Sequence, residues 1–147
     1  MESSIICIGN RFVAEDAAGL LVFERIREQT LPSSIHLVEG GLAGLNLLPH
    51  LERGGRVVFV DSMQGIAAPG TVAVLGWQEI TAMPVDPHFG HETGLAYLLS
   101  VLPKVCDGRL PEEIVLVGLE GACSDQMIEA ATTLSMAIAV NGLKGNR

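Results

Sequence analysis

Ile5-Ile6-Cys7-Ile8-Gly9-Asn10-Arg11-Phe12-Val13-Ala14-Glu15-Asp16-Ala17-Ala18-Gly19 is the stretch whose reading decides the fold. Its four leading apolar residues read as a buried strand, Gly9-Asn10 as a tight turn, and the amphipathic run over 20–26 as a helix. The acidic pair Glu15-Asp16 falls where that helix should begin. In an open α/β sheet this place is the carboxyl edge of a strand, where ligands bind.

Working outward, four more apolar runs read as strands. A helix over 17–29, stopped by Leu31-Pro32, leads into strand two at 34–38, which Glu39-Gly40-Gly41 ends. Residues 44–51 suit a short crossover helix. Strand three, 56–60, is apolar on both faces, as a central parallel strand should be, and runs into Asp61. A parallel crossover needs roughly a dozen residues, so strand four at 71–75 is predicted to be antiparallel. After Trp77 the chain reads as irregular until a helix begins near His91 and runs to residue 101, with Leu95, Leu98, Leu99 and Leu102 on its apolar side. Strand five follows at 114–117. A last helix over 124–140 has Ser124 as N-cap and Asp125 near its positive end, and the tail from Gly142 is expected to fray. The pattern predicts a three-layer α/β/α sandwich with a mixed, mostly parallel five-stranded sheet, in a single domain over 1–147.

The formal charge of -8 argues against nonspecific nucleic-acid binding, which needs Lys and Arg to displace counterions. Met1-Glu2-Ser3-Ser4 lacks the basic start of a secretory signal, and no apolar stretch is long enough to span a bilayer. A soluble cytoplasmic protein with neither nucleic acid nor membrane as partner is therefore expected. Cys7, Cys106 and Cys123 are odd in number and lack Cys-x-x-Cys spacing, which reads as free thiols in a reducing compartment.

Three polar residues stand at successive strand ends: Asp16 after strand one, Asp61 after strand three, and His91 before the helix that follows strand four. Two carboxylates and an imidazole suit a mixed oxygen and nitrogen metal site with positions left open for a substrate group. Each also has a plainer reading. Asp16 suits a helix's first turn, Asp61 a turn through Ser62, and His91 a surface position for which His88 competes. Gly9-Asn10 and Glu39-Gly40-Gly41 suit simple turns. A second constellation takes Cys123 as thiol nucleophile, His91 as base and Asp61 as orienting acid.

Taken in order, these pieces resemble one family. They are Gly9-Asn10, Glu15-Asp16-Ala17-Ala18-Gly19, Glu39-Gly40-Gly41 with Gly44-Leu45, and Val60-Asp61. His91-Glu92 with Leu95 and Leu98, Val117-Gly118-Leu119-Glu120 and Leu134-Ser135 complete the set. The chain resembles the hydrogenase maturation proteases, the endopeptidases that finish the large subunit of nickel-iron hydrogenases. The resemblance implies that Asp16, Asp61 and His91 are the catalytic and metal-contacting residues, and that Gly9, Asn10, Gly40 and Gly41 bind substrate. It implies removal of a short C-terminal extension from a hydrogenase large-subunit precursor once nickel is inserted, with that nickel as the recognition signal. Nickel then arrives with the precursor, and no permanently bound metal is expected, in keeping with the lack of a His-Glu-x-x-His motif. A monomer is the family-like default. Gly121 departs from the Pro that often follows the last strand, which bears on partner choice. The alternative is a noncatalytic module that senses or delivers metal through the same three residues.

Overall fold

The computed structural model describes residues 1–10, 12–13, 16–42, 44–83 and 94–143. Five strands form one sheet: β1 (Ser3–Ile8), β2 (Ile35–Gly41), β3 (Arg56–Met63), β4 (Val72–Gly76) and β5 (Glu113–Glu120). Their order across the sheet is β2-β1-β3-β5-β4. The first four are parallel, and β4 runs antiparallel to β5, as its short connection predicts. Helices α1 (Ala18–Arg27), α2 (Leu48–Leu51), α3 (Trp77–Thr81), α4 (Leu95–Val105) and α5 (Asp125–Asn141), with a 3-10 turn over Leu45–Leu47 before α2, complete the described elements.

Alternation along each strand divides the core in two. Ile5, Cys7, Val58, Val60, Val115 and Val117 face α1 and α5, packing on Val22, Ile26, Ile128 and Ala131. Ile6, Ile8, Val57, Phe59, Ile114 and Leu116 face the other way, onto Leu47, Leu51, Ile80, Leu98 and Leu102. A fully buried side chain of this size contributes about 1.5–3 kcal/mol. The result is the α/β/α sandwich, with helices on both faces of a mostly parallel sheet.

Several boundaries move, each for a local reason. Strand two does not end before Glu39-Gly40-Gly41. It continues to Gly41, with a register shift between Cys7 and Ile8. Gly40 is there for close packing, since a Cβ would lie 2.8 Å from Ile6 Cγ2. Strand three extends past Asp61 to Met63, so Asp61 lies within the strand, opposite Gly118 of β5. The stretch after Trp77 is not irregular at its start. It forms α3, whose Glu79 carboxylate accepts the Gly76 N–H at 3.2 Å. Ser124 caps α5 by accepting the Met127 N–H at 3.2 Å. Fraying does not begin at Gly142: Leu143 N–H donates to Glu113 Oε1 at 3.1 Å, and 144–147 lie outside the described residues.

Candidate functional site

The first loop is built around Asn10. Its side chain accepts the Phe12 N–H at 2.9 Å, and its backbone carbonyl accepts the Val13 N–H at 3.1 Å. Val13 O then accepts the Asp16 N–H at 2.9 Å, and the Asn10 N–H returns to the Asp16 carbonyl at 3.0 Å. The same N–H lies 3.2 Å from Asp16 Oδ2. Gly9 and Gly19 let this loop lie close against the sheet. A Cβ on Gly9 would collide with the Asp16 carbonyl, and one on Gly19 with the Ile8 carbonyl. The chain is thus pressed down on the ends of β1 and β3, with Asp16 held between.

This settles one choice left open by the sequence. Asp16 is not an acid of α1's first turn: that helix starts at Ala18, has Ala17 at its N-cap, and receives no side-chain cap bond. Instead, Asp16 Oδ1 accepts the Ser62 hydroxyl at 3.0 Å. Asp61 keeps the local bond expected of it, since its Oδ1 accepts the Ser62 N–H at 2.8 Å, but within β3 rather than in a turn. Burial raises the Asp61 carboxyl well above the usual carboxylate range, and the negative charge of Asp16 pushes the same way, with only the Ser62 N–H opposing them.

The two carboxylates reach the sheet edge from opposite faces. Ser62 alternates with Val58 and Val60, on the face covered by α1, which follows Asp16. Asp61 alternates with Val57, Phe59 and Met63, on the face covered by α4. His91, the third expected ligand, lies outside the described residues, as do His88 and Glu15. Among the described residues, no three His, Cys, Asp or Glu side chains gather as a metal site. The pair present offers hard oxygen donors, which fit a divalent cation. Of the expected substrate-binding residues, Gly9 and Asn10 border Asp16, and Gly9 N–H donates to Gly41 O at 2.9 Å. Gly41 adopts a φ of 60°. The ends of β1 and β2 are thereby tied beside the carboxylates.

Ser62 was legible only as a turn partner of Asp61. Its second bond, to a loop 46 positions earlier in the chain, has no local signal. Glu120, which sequence reasoning used only as part of a resemblance, is 2% exposed. It accepts the N–H groups of Gly65 at 3.0 Å and of Ile66 and Ala67 at 2.7 Å. It therefore fixes the loop that leaves the Asp61 strand.

The Cys123 constellation gains nothing from the geometry. Cys123 is exposed, its Sγ lies 3.8 Å from its neighbour Ser124's carbonyl, and local desolvation and Asp125 both push the thiol pKa up. A nucleophilic cysteine needs the opposite shift. Cys7 is buried, its thiol pushed up to about 12 by desolvation and then by Glu39. No helix among the described residues is long and apolar enough to cross a membrane.

The chain is similar to known proteins over most of its length. The family model for hydrogenase maturation protease matches residues 20–140, a span that contains Asp61 and His91 and begins just after Asp16. The hydrogenase 2 maturation protease of Escherichia coli is 28% identical over 121 residues, covering 81% of this chain and 73% of that protein. A hydrogenase expression/formation protein of Azotobacter chroococcum is 28% identical over 120 residues, 80% of this chain but 56% of that protein. The chain thus spans little more than half the length of some of its relatives. A solved hydrogenase maturating endopeptidase of Escherichia coli superposes with a TM-score of 0.76 at 26% identity, covering 93% of this chain and 91% of that one. The family model spans most of the sequence, and the chain belongs to the hydrogenase maturation protease family.

Proposed function

We propose that this protein is a cytoplasmic endopeptidase that removes the C-terminal extension of a nickel-iron hydrogenase large-subunit precursor after nickel insertion. The observation that carries the reading is the meeting of Asp16 and Asp61 at the carboxyl edge, linked through Ser62. Family membership supports peptide-bond hydrolysis as the reaction. In this reading Asp16, Asp61 and His91 bind the nickel that the precursor carries, so the metal is part of the substrate. Carboxylate and imidazole donors suit such a borderline cation. Holding the nickel centre fixes the adjoining C-terminal peptide in place, and positioning of this kind can contribute several kcal/mol to catalysis. In this reading Gly9, Asn10 and Gly41 border the path of that peptide, while Gly40, the fourth expected contact, is buried against Ile6.

The test compares nickel-loaded and metal-free precursor, each mixed with chelator-treated protein and read by intact mass. Cleavage of the nickel-loaded precursor alone is expected. Equal cleavage of both would rule out nickel as the signal, and cleavage restored only by adding zinc to the protease would indicate a resident catalytic metal.

A further inference from the structure

We propose that Ser62 is a positioning residue for this reaction, holding Asp16 and Asp61 in register across the sheet edge through its hydroxyl and its amide. The inference rests on the reading of Asp16 and Asp61 as the working carboxylates. Asp61 is carried by β3, whose neighbours on both sides are hydrogen-bonded strands. Asp16 is carried by a loop. The other bonds described for Asp16, to Asn10 and Val13, lie within that loop and would move with it. The Ser62 hydroxyl, 3.0 Å from Asp16 Oδ1, is the bond that crosses to β3.

One residue performs both tasks because of alternation along the strand. The Ser62 side chain faces α1 and reaches Asp16, while its N–H reaches back 2.8 Å to Asp61 Oδ1 on the other face. A serine hydroxyl has one proton to donate, and an ionised carboxylate only accepts, so the bond has a defined direction. It selects one orientation of the Asp16 carboxylate and leaves Ser62 itself off the reacting atoms. Loss of such a supporting partner typically lowers metal affinity or activity about 10–100-fold.

The experiment uses Ser62→Ala, Ser62→Thr and Asp16→Asn in the full chain, with nickel-loaded precursor as substrate and kcat and KM measured separately. Amide hydrogen exchange provides a readout independent of cleavage. Ser62→Ala is expected to lower kcat about tenfold or more with little change in KM, and Ser62→Thr, which keeps the hydroxyl, to restore most of the rate. In Ser62→Ala the Asn10 amide should exchange faster while Val58 and Val60 stay protected, because the loop loosens and the strand does not. Wild-type kcat in Ser62→Ala beside an inactive Asp16→Asn would overturn the inference and leave the site standing. Equal defects in Ser62→Ala and Ser62→Thr would overturn it too, since the hydroxyl would not be the operative group. Normal cleavage by Asp16→Asn would remove Asp16 from the site and the inference with it.

Discussion

At Asp61, burial and the neighbouring Asp16 charge act together against ionisation, and one backbone N–H does not offset them. An acid whose folded pKa is raised binds a proton that the unfolded chain releases, so stability falls as pH rises from its ordinary value of 3.8 toward the folded value. Asp61→Asn keeps an oxygen for the Ser62 N–H and removes the charge. In the absence of nickel it should melt higher than wild type at pH 7, with the gain disappearing at strongly acidic pH, as thermal melts over a pH series would show. The same substitution should abolish precursor processing, as should Asp16→Asn and His91→Gln, by at least the roughly 10–100-fold that losing an outer partner costs. His88→Gln should be much milder. Intact mass of the precursor reads all four, and near-normal cleavage by any two of the three site variants would dismiss the assignment. Cys123→Ala should cleave normally, and since the thiol is exposed it should also leave Tm unchanged. A folded but inactive Cys123→Ala protein would restore the thiol mechanism.

Elements meet at the carboxyl edge through Glu120, which ends β5 and receives three amides of the loop after β3. Burial raises its pKa, yet the bonds from Ala67, Ile66 and Gly65 outweigh burial and leave it lowered. Because the folded value is depressed, this contribution is fully present above the ordinary glutamate value of 4.5 and is lost as pH falls through the folded value. Glu120→Gln preserves an oxygen for Ile66 and Ala67 but turns an NH2 group toward the Gly65 N–H. Leaving one buried donor unpaired costs about 1–3 kcal/mol. Glu120→Ala exposes all three and should cost more. Urea melts at pH 7 and pH 3 should show the difference between wild type and Glu120→Gln shrinking in acid, and a constant difference would contradict this account. At the start of α1, Gly19→Ala should also destabilise the fold, by about 1–3 kcal/mol, because the added methyl meets the Ile8 carbonyl.

For the whole molecule, the sheet separates chemistry from framework. Asp16 follows β1, Asp61 lies near the end of β3 and Glu120 ends β5, all toward the carboxyl edge. At the other end, Arg56 and Glu113 pair across β3 and β5 at 2.9 Å, and Arg56 also donates to the Ala139 carbonyl of α5 at 3.0 Å. The carboxylate loop is held by Asn10, Ser62 and the packing at Gly9 and Gly19, all protein groups. The proposal that nickel arrives with the precursor predicts a fold that needs no resident metal. The purified protein should contain little metal by elemental analysis, and chelator should leave its Tm unchanged. A large fall in Tm on chelation would indicate a structural metal instead.

What the amino-acid sequence determined by itself was the order of the five strands and of the helices around them, apart from α3 after β4. Apolar runs in 56–60 and 114–117 read as buried strands by length and β-branched content, and the link into β4 is shorter than a parallel crossover needs. Ser124 announced its helix in the same local way. Boundaries set by contact were not legible: Glu39-Gly40-Gly41 reads as a turn, yet stays in β2 because Gly40 packs on Ile6 from a different strand. Asp16 and Asp61 were recognisable as polar residues at strand ends, but each also fitted a bland local role. Only the tertiary structure decided that Asp16 turns away from its helix toward Ser62, and that Glu120 gathers three amides from another loop. These are bonds between groups far apart in the chain, formed because a parallel sheet brings the carboxyl ends of successive strands to one edge, and no local pattern encodes them.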